Sequence, residues 1–480
     1  MMKSTRSVNK DTNEINKMNS CKDVKGAAAS RNILQHRLIG TKKSEWVKNL
    51  HGSLAIIVVG TLGALASYLA GYFWRNEAAK PLDSYERILS TVYPHDSAFR
   101  TEQNSTVSGP SLAGCSISTL FADEPVHGMH LGCIQHTPTG LYATMFMDGQ
   151  NHTRREVIAS MNDFQGLRTL LGDRLGLAPV GRRNGEGPRD KETPNTQKPW
   201  SMFSPQGIAI DSLLDLQEGA NDVLLYEGGR FIWPGVREGY VTQVTALDRL
   251  GSVKMQTLSM SPLVFSVENF LLPEECTYIR DVAEPHMRQS GVKLMDHDKG
   301  KAATDWRTSS THFLASKHHA RIQSVDRRVA GLTRQPVSHQ EDVQVLRYES
   351  TQRYDAHHDF FDRRLYARDP DTLKLIDNGK RNRMATVLWY LSDVLQGGET
   401  IFPLHNGGEI SYDSRHCERM KGALRCPPKE GSVIIFYSLL PNGDLDDRSL
   451  HGSCAVKHGV KWAANKWIWS DEIAPILGRA

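Results

Sequence analysis

Residues 341–359 read EDVQVLRYESTQRYDAHHD. A run rich in Val, Leu and Tyr and a second run from Gln352 flank a polar break, which reads as successive short β-strands. More runs of this kind follow: MATVLWYL, GGETIF, GSVIIFYSL, SLHGSCAV and VKWAANKWIW. Dense short strands without intervening helices imply a β-sandwich or a closed double sheet. Upstream, LVFSVENFL from Leu263 reads as another strand. Pro273-Glu274-Glu275 then opens a helix, with proline at a tolerated first position and acids at the positive helix end. A mainly β domain is therefore expected over residues 261–472, with its core at 341–470.

Within this stretch, Tyr354-Asp355-Ala356-His357-His358-Asp359 carries chemistry. Side chains alternate along a strand, so His357 and Asp359 share a face and His358 points away. One imidazole and one carboxylate two residues apart can grip one metal ion. His451, which opens a late strand, would supply the second imidazole. Two histidines and a carboxylate on one face leave adjacent coordination positions open, as Fe(II) enzymes that bind a cosubstrate and O₂ require. A zinc hydrolase could use the same triad.

The neighbouring motifs narrow the choice. They run in order: Arg307-Thr308-Ser309-Ser310 with Phe313-Leu314, then VLRY with QRYDAHHD, then Ala385-Thr386-Val387-Leu388 with YLSDV. Gly397-Gly398-Glu399-Thr400 with Phe402-Pro403 follows, and finally His451, Gly459 and KWAANKW. Over Leu263–Trp467, 205 of 480 residues, the sequence resembles the 2-oxoglutarate- and Fe(II)-dependent prolyl 4-hydroxylases of the collagen and plant cell-wall type. The resemblance implies a double-stranded β-helix (jelly roll) with flanking helices. It implies His357, Asp359 and His451 as iron ligands and Lys461 as the cation that pairs with the distal carboxylate of 2-oxoglutarate. Lys461 follows His451 by ten positions, as in this family. Tyr348 and Thr400 match hydroxyl donors to the same carboxylate. Tyr354, Arg383 and Trp467 match positions lining a peptide groove. The implied reaction splits 2-oxoglutarate and O₂ into succinate, CO₂ and an oxygen atom delivered to proline C4, with ascorbate as reductant. His405, His416 and His458 match no role and read as surface histidines.

Some positions depart from the family pattern. Thr351 stands where relatives often have Gly, Thr311 follows RTSS where Gly is frequent, Ala356 replaces a frequent Pro, and Trp469 a frequent His. These bear on substrate identity more than on activity. The alternatives are another 2-oxoglutarate-dependent protein hydroxylase, which Lys461 disfavours, and a catalytically silent binding module, which the complete triad disfavours.

Outside this region the charge is informative. The chain has a formal net charge of +4. Residues 1–50 hold 11 Lys+Arg against 4 Asp+Glu, so the other 430 residues sum to −3. A nucleic-acid binder's broad basic field is excluded. Between Lys48 and Arg75 lie 26 residues without a charged side chain, including LAIIVVGTLGALASYLAGYFW. That is close to the ~20 residues a transmembrane helix needs. A cytoplasmic basic tail (1–50), a signal-anchor (51–75) and a lumenal remainder are expected, a single-pass type II arrangement in the endoplasmic reticulum or Golgi. Asn104-Ser105-Thr106 and Asn151-His152-Thr153 are N-glycosylation sequons beyond the anchor. Residues 76–260 read as a poorly defined α+β stem with a linker at 176–205. In it, Arg154–Leu175 has helical spacing, while Asp222–Tyr226 and Gly239–Val244 look β-like. Cys417 with Cys426 is the first disulfide candidate and Cys115 with Cys133 the second.

Overall fold

The computed structural model describes residue 112 and residues 114–160, 163–177 and 200–473. The expected basic tail, the anchor and Asn104 lie outside these residues. Among the described residues no helix is long and apolar enough to cross a membrane.

The strands in chain order are β1 (Met129–Thr137), β2 (Gly140–Phe146), β3 (Arg154–Ser160), β4 (Ser201–Phe203) and β5 (Gly219–Tyr226). Next come β6 (Val241–Leu247), β7 (Gly251–Met260), β8 (Leu263–Val267), β9 (Arg288–Gln289) and β10 (Ser310–Leu314). β11 (Val343–Tyr348), β12 (Tyr354–His357), β13 (Arg383–Tyr390), β14 (Gln396–Gly397) and β15 (Thr400–Phe402) follow. The last are β16 (Leu424–Cys426), β17 (Val433–Tyr437), β18 (His451–Ser453), β19 (Val456–His458) and β20 (Lys461–Trp469). Among the described residues four α-helices accompany them: α1 (Phe164–Leu175), α2 (Pro273–Ala283), α3 (Ala320–Thr333) and α4 (Pro370–Leu375).

Nine strands form the main sheet in the order β6-β7-β8-β17-β13-β20-β11-β10-β9. Four form a facing sheet, β12-β18-β15-β16. Successive side chains of the central main-sheet strands serve two cores, because both faces of these strands are covered. On β17, Val433, Ile435 and Tyr437 join the outer core beside α2 and α3, while Ile434 and Phe436 face inward. On β13, Ala385, Val387 and Trp389 go outward, and Leu388 and Tyr390 inward. This period of two places Thr386 and Lys461 inside the double sheet.

Residues 129–226 hold a separate five-stranded antiparallel sheet, β3-β2-β1-β5-β4. α1 packs on one face, with Leu167 and Leu171 against Ile134, Leu141, Val223 and Leu225. Met129, Leu131, Leu224 and Tyr226 on the other face share a core with Phe265 and Trp389 of the main sheet. β6 and β7 pair onward to β8, so residues 241–260 also belong to the main sheet. Trp200, at the end of the expected linker, is buried beside β4.

Two expectations are corrected. Arg154–Leu175 is a strand followed by a helix, not one helix. Val157 and Ala159 are buried while Glu156 and Ile158 are exposed, a period-two pattern that suits the β-branched residues. Asp163 then caps α1, its carboxylate accepting from the Gly166 N–H at 2.7 Å. Cys417 bonds to Cys454, not to Cys426. Cys426 pairs with Thr400 across β15 and β16, and its buried free thiol lies in the inner core. The Cys115–Cys133 bond forms as expected.

Candidate metal centre

β12 and β18 are antiparallel neighbours, and their register sets His357 directly opposite His451. The imidazole centroids are 4.5 Å apart. Asp359, just past the end of β12, completes the group. One ligand atom from each of the three residues lies within 4.8 Å of the others. Asp359 Oδ1 is 3.8 Å from His357 Nε2, and its Oδ2 is 3.5 Å from His451 Nε2.

The orientation of both rings suits metal binding. His357 Nδ1 sits 2.9 Å from the Asp355 carbonyl and His451 Nδ1 2.9 Å from the Ser449 carbonyl. A carbonyl only accepts, so each Nδ1 carries the proton and each Nε2 lone pair is left for a ligand. Burial, and next to it His451, pushes His357 below the ordinary imidazole range and keeps it neutral. Burial alone would raise the Asp359 carboxyl, but His451 and His357 beside it hold it down and ionised. Two imidazoles and one carboxylate form a donor set for a divalent transition metal with open positions. The Thr386 hydroxyl, on β13, donates to Asp359 Oδ2 at 2.6 Å and fixes the carboxylate from the facing sheet.

One cavity is lined by Tyr348, Tyr354, His357, Thr400, His451 and Lys461. Lys461 is 2% exposed, and its Nζ donates to the Ser453 hydroxyl at 2.8 Å. It forms no ion pair with a carboxylate among the described residues. Burial, partly offset by Glu399, lowers its pKa to about 7. A buried ammonium with spare donors is the complement of a ligand carboxylate. The Tyr390 hydroxyl donates to Thr400 Oγ1 at 2.8 Å and orients that hydroxyl.

At the mouth, Tyr354 stacks on His357 with centroids 3.7 Å apart, and the Arg307 guanidinium lies 4.5 Å over the Tyr354 ring. Arg383 lies 3.6 Å over the Trp467 ring and bonds Glu341 through Nε at 2.7 Å. Trp469 Nε1 donates to the same Glu341 oxygen at 2.7 Å. Trp467 Nε1 and Arg307 Nη2 are buried and have no hydrogen-bond partner among the described residues. Sequence reasoning did not single out Thr386, Tyr390, Glu341 or Ser453. Thr386 and Tyr390 could have been found, since they alternate with the outward residues of a strand already recognised. Glu341 and Ser453 depend on pairings between distant segments.

Residues 343–469 match the family model described as the 2OG-Fe(II) oxygenase superfamily. A protein of Arabidopsis thaliana named "Probable prolyl 4-hydroxylase 9" is 37% identical over 229 residues, 47% of this chain and 75% of its own length. "Prolyl 4-hydroxylase 1" of the same plant is 38% identical over 222 residues, 46% of this chain and 73% of its own. "Probable prolyl 4-hydroxylase 10" is 40% identical over 217 residues, 45% of this chain and 71% of its own.

Proposed function

Since the chain belongs to the prolyl 4-hydroxylases, which are 2-oxoglutarate- and Fe(II)-dependent dioxygenases, we propose that it hydroxylates proline in secretory proteins from the lumenal side of a membrane. The observation that carries the reading is the His357–Asp359–His451 group, whose two imidazoles line the same cavity as Lys461, a buried lysine with no carboxylate ion pair among the described residues.

Fe(II), 2-oxoglutarate and O₂ supply the chemistry when bound: oxidative decarboxylation to succinate and CO₂, with one oxygen atom inserted at a proline C–H. His357 Nε2, His451 Nε2 and an Asp359 oxygen hold the iron. Lys461, Tyr348 and Thr400 hold the distal carboxylate of 2-oxoglutarate, so the cosubstrate is fixed at both ends. Tyr354, Arg383 and Trp467 position the peptide, with Glu341 keeping the Arg383 plane over the Trp467 ring. Ascorbate, typical of this family, keeps the iron reduced.

The anchor at residues 51–75 would hold the domain at the membrane of the endoplasmic reticulum or Golgi. Two disulfides suit an oxidising lumen. Asn151 is exposed, so its sequon is accessible to glycosylation. The test is the full-length chain with Fe(II), 2-oxoglutarate, ascorbate and proline-rich peptides, measuring succinate and hydroxyproline. Both products are expected in equal amounts, and His357→Ala abolishes them. Succinate without hydroxyproline refutes the proline substrate. A glycosidase shift lost in Asn151→Gln supports the lumenal placement; an unglycosylated parent refutes it.

A further inference from the structure

The face of the main sheet turned away from the metal centre gathers basic groups at one edge. On β10, His312 stands two residues before Leu314, so the two side chains share a face, and Leu314 joins the outer core. The His286 ring, just past the end of α2, lies against His312 with centroids 5.1 Å apart. His319, at the start of α3, meets the Tyr278 hydroxyl of α2 through Nδ1 at 3.0 Å. The Arg321 guanidinium lies 4.8 Å over the Tyr278 ring. Arg288 on β9 completes the row. Burial first, then the neighbouring charges of His286, Arg288 and His319, hold His312 below the ordinary imidazole range.

No carboxylate answers this charge. Among the described residues, His286, Arg288, His312, His319 and Arg321 form no ion pair with an acid. The next arginines on α3 do: Arg327 pairs with Asp248 and Arg328 with Glu275. Asp281 and Glu284, at the end of α2, are exposed and form no ion pair with the row. Lys317 and His318, beside His319 in the chain, are exposed and add to the positive side. The histidines do not make a second metal site. Among the described residues, three ligand atoms converge only at His357, Asp359 and His451. Two guanidinium groups would also repel a cation. The complement of this surface is an anion.

The strand beneath it says which kind. β9 is an edge of the nine-stranded sheet. It pairs with β10 on one side, Arg288 opposite Thr311 and Gln289 opposite Ser310. In an antiparallel ladder alternate residues turn their N–H and C=O to the far side, so β9 offers one such pair outward. Arg288 and Gln289 are both exposed. An extended peptide can take up that main-chain pairing; a lipid headgroup or a glycan cannot. Anionic lipid surfaces are met by clusters of Lys and Arg, whereas His286, His312 and His319 make up most of this row.

We propose that this surface docks an extended acidic segment of a partner protein, paired along β9, with its carboxylates on His286, His312, His319, Arg288 and Arg321. A bound carboxylate favours the charged imidazole, so docking takes up protons. It strengthens from about pH 7.5 to about pH 5.5, where imidazoles gain charge and carboxylates keep theirs. The surface lies apart from the metal cavity, so docking requires no proline.

The test uses the full-length chain with iron and 2-oxoglutarate bound and oxygen excluded. The probe is a fluorescent peptide of alternating Glu and Thr, about ten residues long, which at ~3.4 Å per residue spans the row. Its Kd by anisotropy is expected to be about tenfold lower at about pH 5.5 than at about pH 7.5, at equal ionic strength. A peptide with Gln in place of Glu should not bind. The double variant His286→Gln, His312→Gln should lose the gain at low pH. Arg321→Glu should weaken binding at both pH values. Both variants should turn over 2-oxoglutarate at the parental rate. A Kd independent of pH overturns the proposal and places binding on the permanently charged Lys and Arg of residues 1–50. A gain at low pH that survives in the double variant also overturns it. Should the double variant fail to fold, unchanged binding in Arg321→Glu, an exposed position, is the overturning result. Binding of phosphatidylserine vesicles without binding of the Glu–Thr peptide overturns it in favour of a membrane surface.

Discussion

At the scale of single residues, Lys461 ties cosubstrate binding to pH. In the free enzyme its pKa is lowered to about 7 by burial. A bound carboxylate favours the charged form and raises that pKa. Binding therefore takes up a proton above pH 7. The Kd for 2-oxoglutarate should be flat below pH 7 and rise about tenfold per pH unit above it. Calorimetry in buffers of different ionisation enthalpy reads both the slope and the proton, and a flat Kd from pH 6 to 9 would exclude this role. Without 2-oxoglutarate the sign for stability is opposite to that of an ordinary ion pair. The unfolded lysine titrates near ~10.4, so between pH 7 and that value the unfolded chain holds more protons and stability rises with pH. Thr351 offers a second test. It adopts φ +70°, a left-handed conformation costly for a β-branched residue. Thr351→Gly should stabilise the fold by about 1 kcal/mol, seen as a higher denaturation midpoint; no gain would mean the strain is relieved by its neighbours. Most of the site was legible in sequence because the family motifs mark it: His357, Asp359 and His451 come together and Lys461 lines the same cavity as the two histidines, although Asp359 lies just past the end of β12, where strand alternation no longer sets its direction. The supporting contacts were not. The Thr386–Asp359 and Trp469–Glu341 bonds join segments 27 and 128 residues apart, and no local pattern encodes such a distance.

At the scale of elements, α2 and α3 are locked behind the main sheet by charge. Arg328 on α3 is fully buried and donates through Nη1 and Nη2 to Glu275 of α2 at 2.8 and 2.9 Å. Nη1 also bonds the Phe270 carbonyl at 2.7 Å, and Glu275 accepts from the Leu272 N–H at 3.0 Å. Arg328→Met leaves the Glu275 carboxyl in the core without its cation, at an expected cost of about 3–5 kcal/mol. Adding Glu275→Leu should restore much of it, because the unpaired charge goes with it. If the double variant unfolds as readily as the single one in urea, the bond network and not the stranded charge sets the cost. Elements differ in how well sequence exposes them. β11, β13 and β17 are long apolar runs bounded by turns. The segment from Arg154 misled because Val157, Met161, Phe164, Leu171 and Leu175 keep helical spacing across a strand and a helix. The cysteine partner was missed for a related reason: Cys426 is near Cys417 in sequence, but its strand turns the thiol inward while Cys454 faces Cys417.

At the scale of the whole molecule, the five-stranded module packs one of its two faces on the catalytic region. Its sheet is covered by α1 on one face and by the catalytic sheet on the other, where Met129, Leu131, Leu224 and Tyr226 share a core with Phe265, Trp389 and Ile435. Arg230 bonds Asp471 at 3.0 Å and the Trp233 indole bonds the Leu332 carbonyl at 2.7 Å, both crossing to the catalytic region. A face shared in this way is expected to tie the module's unfolding to that of the catalytic sheet. Ligand binding at the metal centre must then protect the module, although none of its residues lines the metal cavity. At a 2-oxoglutarate concentration of 100 Kd, with iron present and oxygen excluded, the native state gains about 2.7 kcal/mol, or roughly 100-fold slower exchange through global unfolding. Amides of Ile134 in β1 and Val223 and Leu225 in β5 should slow by about the same factor as those of Val387 in β13 and Ile435 in β17. Slowing confined to β13 and β17 would mean that the module opens independently.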